Sequence, residues 1–211
     1  MSTLHSLATR ALPADALCGL DESEGTSVDR IARAVEASGY GEATAHRTAI
    51  LRAIGEHLRA YTDACEALRW LASLDHRLAT WGACACAREA LRYVKEGEHW
   101  SLRAIETTER WLAGQATLDE VRESRHGAWA AWSATADAAC AAAAYAAYVT
   151  HGAIYSVTCS GASAAYAATA YAATAARRSA AAWDAARNAE LTRLVGVVAD
   201  ALPGLPPEVI A

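Results

Sequence analysis

The side chains that could do chemistry are six cysteines, seven histidines and a run of carboxylates and guanidiniums between residues 103 and 123. Cys84 and Cys86 suggest a metal or redox pair, but helical residues two apart lie about 200° round from each other and point to opposite faces. They cannot chelate together on a helix. With Cys18, Cys65, Cys140 and Cys159 scattered, buried free thiols packed as small hydrophobes are expected. The histidines are singletons. His126 and His151 bracket a nearly uncharged stretch, where a lone His ordinarily serves as a hydrogen-bonded core side chain. There is no G-x-x-x-x-G-K-[ST], no H-E-x-x-H and no C-x-x-C, and the run Cys159-Ser160-Gly161-Ala162-Ser163 lacks the closing glycine of G-x-S-x-G. No catalytic, cofactor-binding or metal-ligating residue follows, no cofactor is implied, and the chain reads as a non-enzyme. Glu106, Glu109, Asp119, Glu120 and Glu123, interleaved with Arg103 and Arg110, form a charge ladder that usually means a solvated helix face. The functional alternative is an acidic recognition patch.

Positioning those groups falls to helices. Phe is absent, and three of the four prolines lie in the last nine residues, so little before Pro203 forbids helix except Pro13 and the glycines. At 211 residues the chain can bury a core without disulfides or metals. The fold class expected is all-α: an alanine-rich multi-helix bundle, with a long C-terminal helical hairpin wrapped by amphipathic N-terminal helices. A net charge of −5 and a single lysine, Lys95, argue against direct nucleic-acid binding, which needs clustered Lys and Arg. The opening MSTLHSLATRALPAD carries neither a basic nor an apolar leader region, so a cytoplasmic location is expected.

Residues 1–25 read as an N-terminal arm, 26–202 as the bundle and 203–211 as a Pro-rich tail; within the bundle, 26–114 supply amphipathic helices and 117–202 long Ala/Tyr-rich ones. Ser27 caps a first amphipathic helix that stops at Gly39. A second is expected as one long helix from Glu42 to Ser73, because Ile50, Ile54, Leu58, Tyr61, Cys65, Leu68 and Leu71 recur at three and four. Gly55 inside it marks either a close-packing point or a bend. Asp75 is the candidate cap of the next helix, with Leu78, Trp81, Ala85, Arg88 or Glu89, and Tyr93 along its stripe. Residues 99–113 follow, closed by Gly114. Thr117 heads T-L-D-E, a capping box.

From His126 to Ala176 the chain holds 24 alanines and one formally charged side chain, Asp137. Tyr145, Tyr148, Tyr155 and Tyr166 fall at heptad-like spacing with Gly152, Cys159 and Ala162, and Tyr171 follows, aligning an aromatic and small-residue seam. Four readings stay open for it: a central hairpin core, a subunit interface between copies of the chain, a membrane hairpin, and an alanine-rich helix resembling antifreeze helices through Thr158 and Thr169. The scarcity of Leu, Ile and Val argues against the membrane, and Ala180 breaks the threonine repeat. Charge returns at Arg177, and Leu191, Leu194, Val195 and Val198 continue an apolar face.

Residues 63–125 carry D-A-C-E-A-L-R-W-L-A-S-L, then W-G-A-C-A-C-A-R-E-A-L-R-Y-V, then R-A-I-E-T-T-E-R-W-L-A-G-Q-A-T-L-D-E-V, ahead of the Ala-Trp-Tyr tract. Together these resemble the alanine-rich immunity-protein family related to the Imm-5 type of bacteria and their phages, over roughly residues 63–193. The resemblance implies a protein that neutralises a toxin by direct binding, with no catalytic residues to carry over. A protein-binding inhibitor that occludes a toxin or defence effector is therefore the leading expectation. A phage counter-defence inhibitor of the anti-CRISPR kind, a self-associating structural protein and an enzyme with an unrecognised site are the alternatives.

Overall fold

The computed structural model describes residues 42–93, 99–135 and 180–207, and the elements of these segments are helical throughout. In chain order they are α1 (Ala43–Leu58), α2 (Ala64–Leu74), α3 (His76–Ala90) with a 3-10 turn at Leu91–Tyr93, α4 (Trp100–Leu112), α5 (Leu118–Thr135) and α6 (Ala180–Ala201), the last closed by a 3-10 turn at Leu202–Gly204. The all-α expectation holds. The Ser27 helix, the tyrosine seam at Tyr145, Tyr148, Tyr155, Tyr166 and Tyr171, and the wrapped hairpin lie outside the described residues.

The long helix expected over residues 42–73 is two helices. Chain direction changes after Leu58, where Ala60 and Tyr61 donate to the carbonyls of His57 and Leu58 in tight turns, and Asp63 then restarts the helix by accepting the Cys65 N–H at 2.6 Å. The apolar repeat runs through the break: Ile50, Ile54, Leu58, Leu68 and Leu71 are all fully buried, while Tyr61 and Cys65 are half-buried. Asp75 ends α2 and caps α3, its carboxylate accepting the Arg77 N–H at 2.8 Å. Gly114, at φ 69°, turns the chain out of α4. The capping box forms as expected, Glu120 N–H donating to the Thr117 hydroxyl at 3.2 Å and Thr117 N–H to the Glu120 carboxylate at 2.6 Å.

α3 is buried on nearly every side, against α2, α4 and α6. Its buried face is not the expected Leu78-Trp81-Ala85 line: Leu78, Ala79, Ala83, Cys84, Cys86, Ala87 and Ala90 are inside, whereas Trp81 and Ala85 are half-buried and Arg88 is exposed. Small side chains make that possible, since axes approach closely where no bulk intervenes. A Cβ on Gly82 would lie 2.8 Å from Leu68 Cδ2 and 2.9 Å from Val198 Cγ1. On α6, Leu191, Leu194, Val195 and Val198 are buried as expected, against α1, α2 and α3.

The proline-rich end does not stop at the bundle surface. Leu205 is buried. Arg47 of α1 donates to the carbonyls of Leu205 and Pro206 at 2.6 and 2.9 Å, Arg77 of α3 reaches the Pro206 carbonyl at 3.5 Å, and Trp81 Nε1 donates to the Ala201 carbonyl at 2.6 Å. Prolines leave carbonyls with no neighbouring N–H to satisfy them in a ladder, and two guanidiniums supply the donors.

Candidate functional site

α4 and α5 form an antiparallel hairpin fixed to the bundle through α4 on α3. Ser101, Ala104, Ile105, Thr108 and Leu112 give α4 its buried face; Val121, Ser124 and Ala128 give α5 its own. Arg103, Glu106 and Arg110 of α4 and Glu120, Arg122 and Glu123 of α5 are exposed. The register is visible in contacts across the pair: a Cβ on Gly127 would lie 2.3 Å from Trp100 Cε3, and Arg110 approaches Glu120 at 3.8 Å.

Between those ends lies a cleft of about 170 Å³ lined by Arg103, Glu106, Thr107, Arg110, Glu120 and Glu123. It thus gathers three of the five carboxylates singled out in the sequence. Glu109 turns to the α3 side, where Arg88 grips both of its oxygens at 2.7 and 2.5 Å. Asp119 pairs with Arg122 at 2.6 Å. The patch is therefore not a block of bare acid: two guanidiniums stand among three carboxylates in the cleft. Thr117's backbone N–H, followed by its hydroxyl, holds Glu120 below the usual carboxylate range. Arg110 also donates to the Gln115 carbonyl at 3.0 Å, and the Arg103 guanidinium lies 5.6 Å from the centre of the Trp100 ring. Glu106 and Glu123 make no ion pair among the described residues. A shallower depression of about 380 Å³ adjoins, sharing Glu106 and Arg110 and adding Trp81, Ala113 and Pro206 as an apolar wall.

Among the described residues, the large apolar side chains that remain exposed are Trp100 (38 %), Leu102 (38 %) and Trp129 (41 %), and all three belong to this hairpin. His99 stacks on Trp100 at 5.2 Å. Trp100 and Leu102 lie at the solvent margin of a helix whose centre is buried. Their apolar type was legible, but their outward direction depends on where α5 and α3 cover α4.

The thiols go the way the spacing suggests. Cys84 and Cys86 are fully buried on opposite sides of α3, the first toward Arg88 and Glu109, the second toward Cys65, Arg193, Glu89 and Glu190. Burial pushes both well above the ordinary thiol value, and pushes Cys65 up to about 12, with the Asp63 carboxylate adding to it. Because the folded chain holds these protons more tightly than the unfolded one, stability is unaffected below about pH 8. It is lost as pH rises from the free-thiol value of 9.0 toward 12. Thermal melts at pH 7 and pH 10 should show the decline, and a Cys65→Ser, Cys84→Ala, Cys86→Ala variant should show less of it. At pH 7, maleimide labelling followed by peptide mass mapping should leave Cys84 and Cys86 unmodified until the protein unfolds.

No group of three His, Cys, Asp or Glu among the described residues could hold a metal ion. His126 meets Arg125 at 3.4 Å; the buried His76 Nε2 has no hydrogen-bond partner; His151 lies outside the described residues. No described helix is long and apolar enough to cross a membrane. No family model, curated protein or solved structure matches the chain.

Proposed function

We propose that the chain is a protein-binding inhibitor of the immunity type, which neutralises a toxin or defence effector in the cytoplasm by occluding a functional surface with the α4–α5 hairpin. The observation that carries this reading is the concentration of exposed Trp100, Leu102 and Trp129 on the same hairpin as a charged cleft. Binding hot spots are enriched in Trp and Arg, and exposed apolar side chains rimmed by polar ones mark contact sites. The hairpin is also rigid where it must be. Its turn is fixed by Gly114 and the Thr117–Glu120 box, and its base by Arg88 on Glu109. Such a surface needs no bond-making chemistry. A net charge of −5 would favour a partner with a basic face. A phage-encoded counter-defence inhibitor would use the same surface on a different target.

The test is capture of tagged protein from its native host, with and without phage infection, washed in high salt and read by mass spectrometry. The expected result is one stoichiometric partner whose activity falls when the purified chain is added back. Recovery of the chain alone, as a defined oligomer, would overturn the reading in favour of self-association.

A further inference from the structure

We propose that the surface formed by Arg47 of α1 with Arg77 and Trp81 of α3 is a docking site for an extended Leu-Pro-Pro segment of a second protein, a site that the chain's own residues 205–207 occupy in cis and yield on binding. It is a contact separate from the α4–α5 face, and neither depends on the other. The resident segment shows what the site reads. Leu205, at φ −57° and ψ 126°, stands in the polyproline region, as suits a residue ahead of proline. Its side chain is buried, whereas Pro206 is half-buried and Pro207 exposed. The backbone here is held by side chains of other helices: Arg47 donates to the carbonyls of Leu205 and Pro206 at 2.6 and 2.9 Å, and Arg77 reaches those of Pro206 and Pro207 more loosely, at 3.5 and 3.4 Å. The N–H of Leu205 is turned back to the Leu202 carbonyl at 3.0 Å.

A row of three carbonyls met by two guanidiniums selects a class of ligand. Guanidiniums offer donors and no acceptor, and prolines bring no N–H that would need one. A polyproline backbone also has no internal hydrogen bonds to break and little conformational freedom to lose. The buried leucine fixes the register. Trp81 supplies the aromatic flank that proline-rich recognition uses: its Cζ2 lies 3.7 Å from the Cβ that Gly204 would acquire, and its Nε1 donates to the Ala201 carbonyl at 2.6 Å. Release is local, because Leu202, fully buried three residues earlier, keeps α6 seated when residues 205–207 leave. Arg77 also donates to the Leu112 carbonyl at the end of α4, at 2.6 Å, which keeps its guanidinium in place for an incoming segment. Such a segment has further wall to cover, since Trp81, Ala113 and Pro206 line the depression of about 380 Å³ beside the site.

The experiment titrates the isotope-labelled full chain and its Leu205→Asp variant with an acetyl-Gly-Gly-Leu-Pro-Pro-Pro-amide peptide, following backbone amide shifts. The resident segment competes at an effective concentration in the millimolar range or above, roughly that of a short tether. Leu205→Asp should therefore bind the peptide at least tenfold more tightly than the parent, with a dissociation constant on the order of 0.1–1 mM and shifts centred on the N-terminal halves of α1 and α3. Adding Arg47→Ala or Arg77→Ala to that variant should weaken binding tenfold, and Arg69→Ala on α2 should leave it intact. A peptide with Asp in place of Leu should not bind. In the parent, excess peptide should also move the Gly204 and Leu205 amides as their own segment leaves, a readout that stands if Leu205→Asp fails to fold. No saturable shift in the parent, equal binding of the Asp peptide, or affinity indifferent to both arginines would overturn the proposal.

Discussion

Gly55→Ala is expected to lower stability by about 2 kcal/mol and the melting temperature by roughly 4–8 °C, although alanine is the better helix former by about 1 kcal/mol. The reason is the seating of α1 on α6. A Cβ at position 55 would lie 2.9 Å from the Ala199 carbonyl oxygen and 3.6 Å from its carbon, and these are backbone atoms of a helix that cannot turn aside as a side-chain tip can. Gly196, on α6 itself, supplies the control, since nothing lies within 4 Å of the Cβ it would acquire. Gly196→Ala should therefore raise stability by about 0.5–1 kcal/mol. Opposite signs for one substitution at two helical glycines, read by thermal or urea unfolding, distinguish close packing from propensity. If both stabilise, α1 and α6 do not touch at Gly55.

Leu194→Ala should cost more, about 3–4 kcal/mol. Leu194 is fully buried in the middle of α6, the helix that packs on α1, α2 and α3. Removing its branched end leaves a cavity that α-helical backbones on several sides cannot close. Unfolding in urea should show a lower midpoint with an unchanged slope. An effect under about 1 kcal/mol would mean that α6 is loosely seated, which the buried Leu191, Val195 and Val198 beside it argue against.

What the sequence disclosed and withheld has particular causes. Local signals that act within four residues came through: Asp75, the Thr117–Glu120 box and Gly114 each do in the fold what their residue types suggest. The break at residues 59–63 did not, because an apolar repeat of three and four continued through it and outweighed Asp63-Ala64-Cys65-Glu66, an equally readable capping signal. Gly55 was recognised as either a bend or a contact, and only the position of Ala199, 144 residues further along, decides for the contact. The extent of burial on α3 was likewise a property of three neighbours and not of its own stripe. In the site, sequence spacing grouped five carboxylates but could not sort Glu109 and Asp119, which are held by Arg88 and Arg122, from Glu106, Glu120 and Glu123, which line the cleft.

The hairpin as the contact surface is tested most directly by measuring the affinity of the captured partner for Leu102→Asp and Trp129→Ser, beside Glu66→Arg on α2. All three positions are exposed, so melting temperatures should stay within about 2 °C of the parent. The expected result is a loss of tenfold or more for each hairpin variant, about 1.4 kcal/mol, with Glu66→Arg unchanged. Parent-like affinity in both hairpin variants, or a loss in Glu66→Arg alone, would place the contact on another face and contradict the proposal.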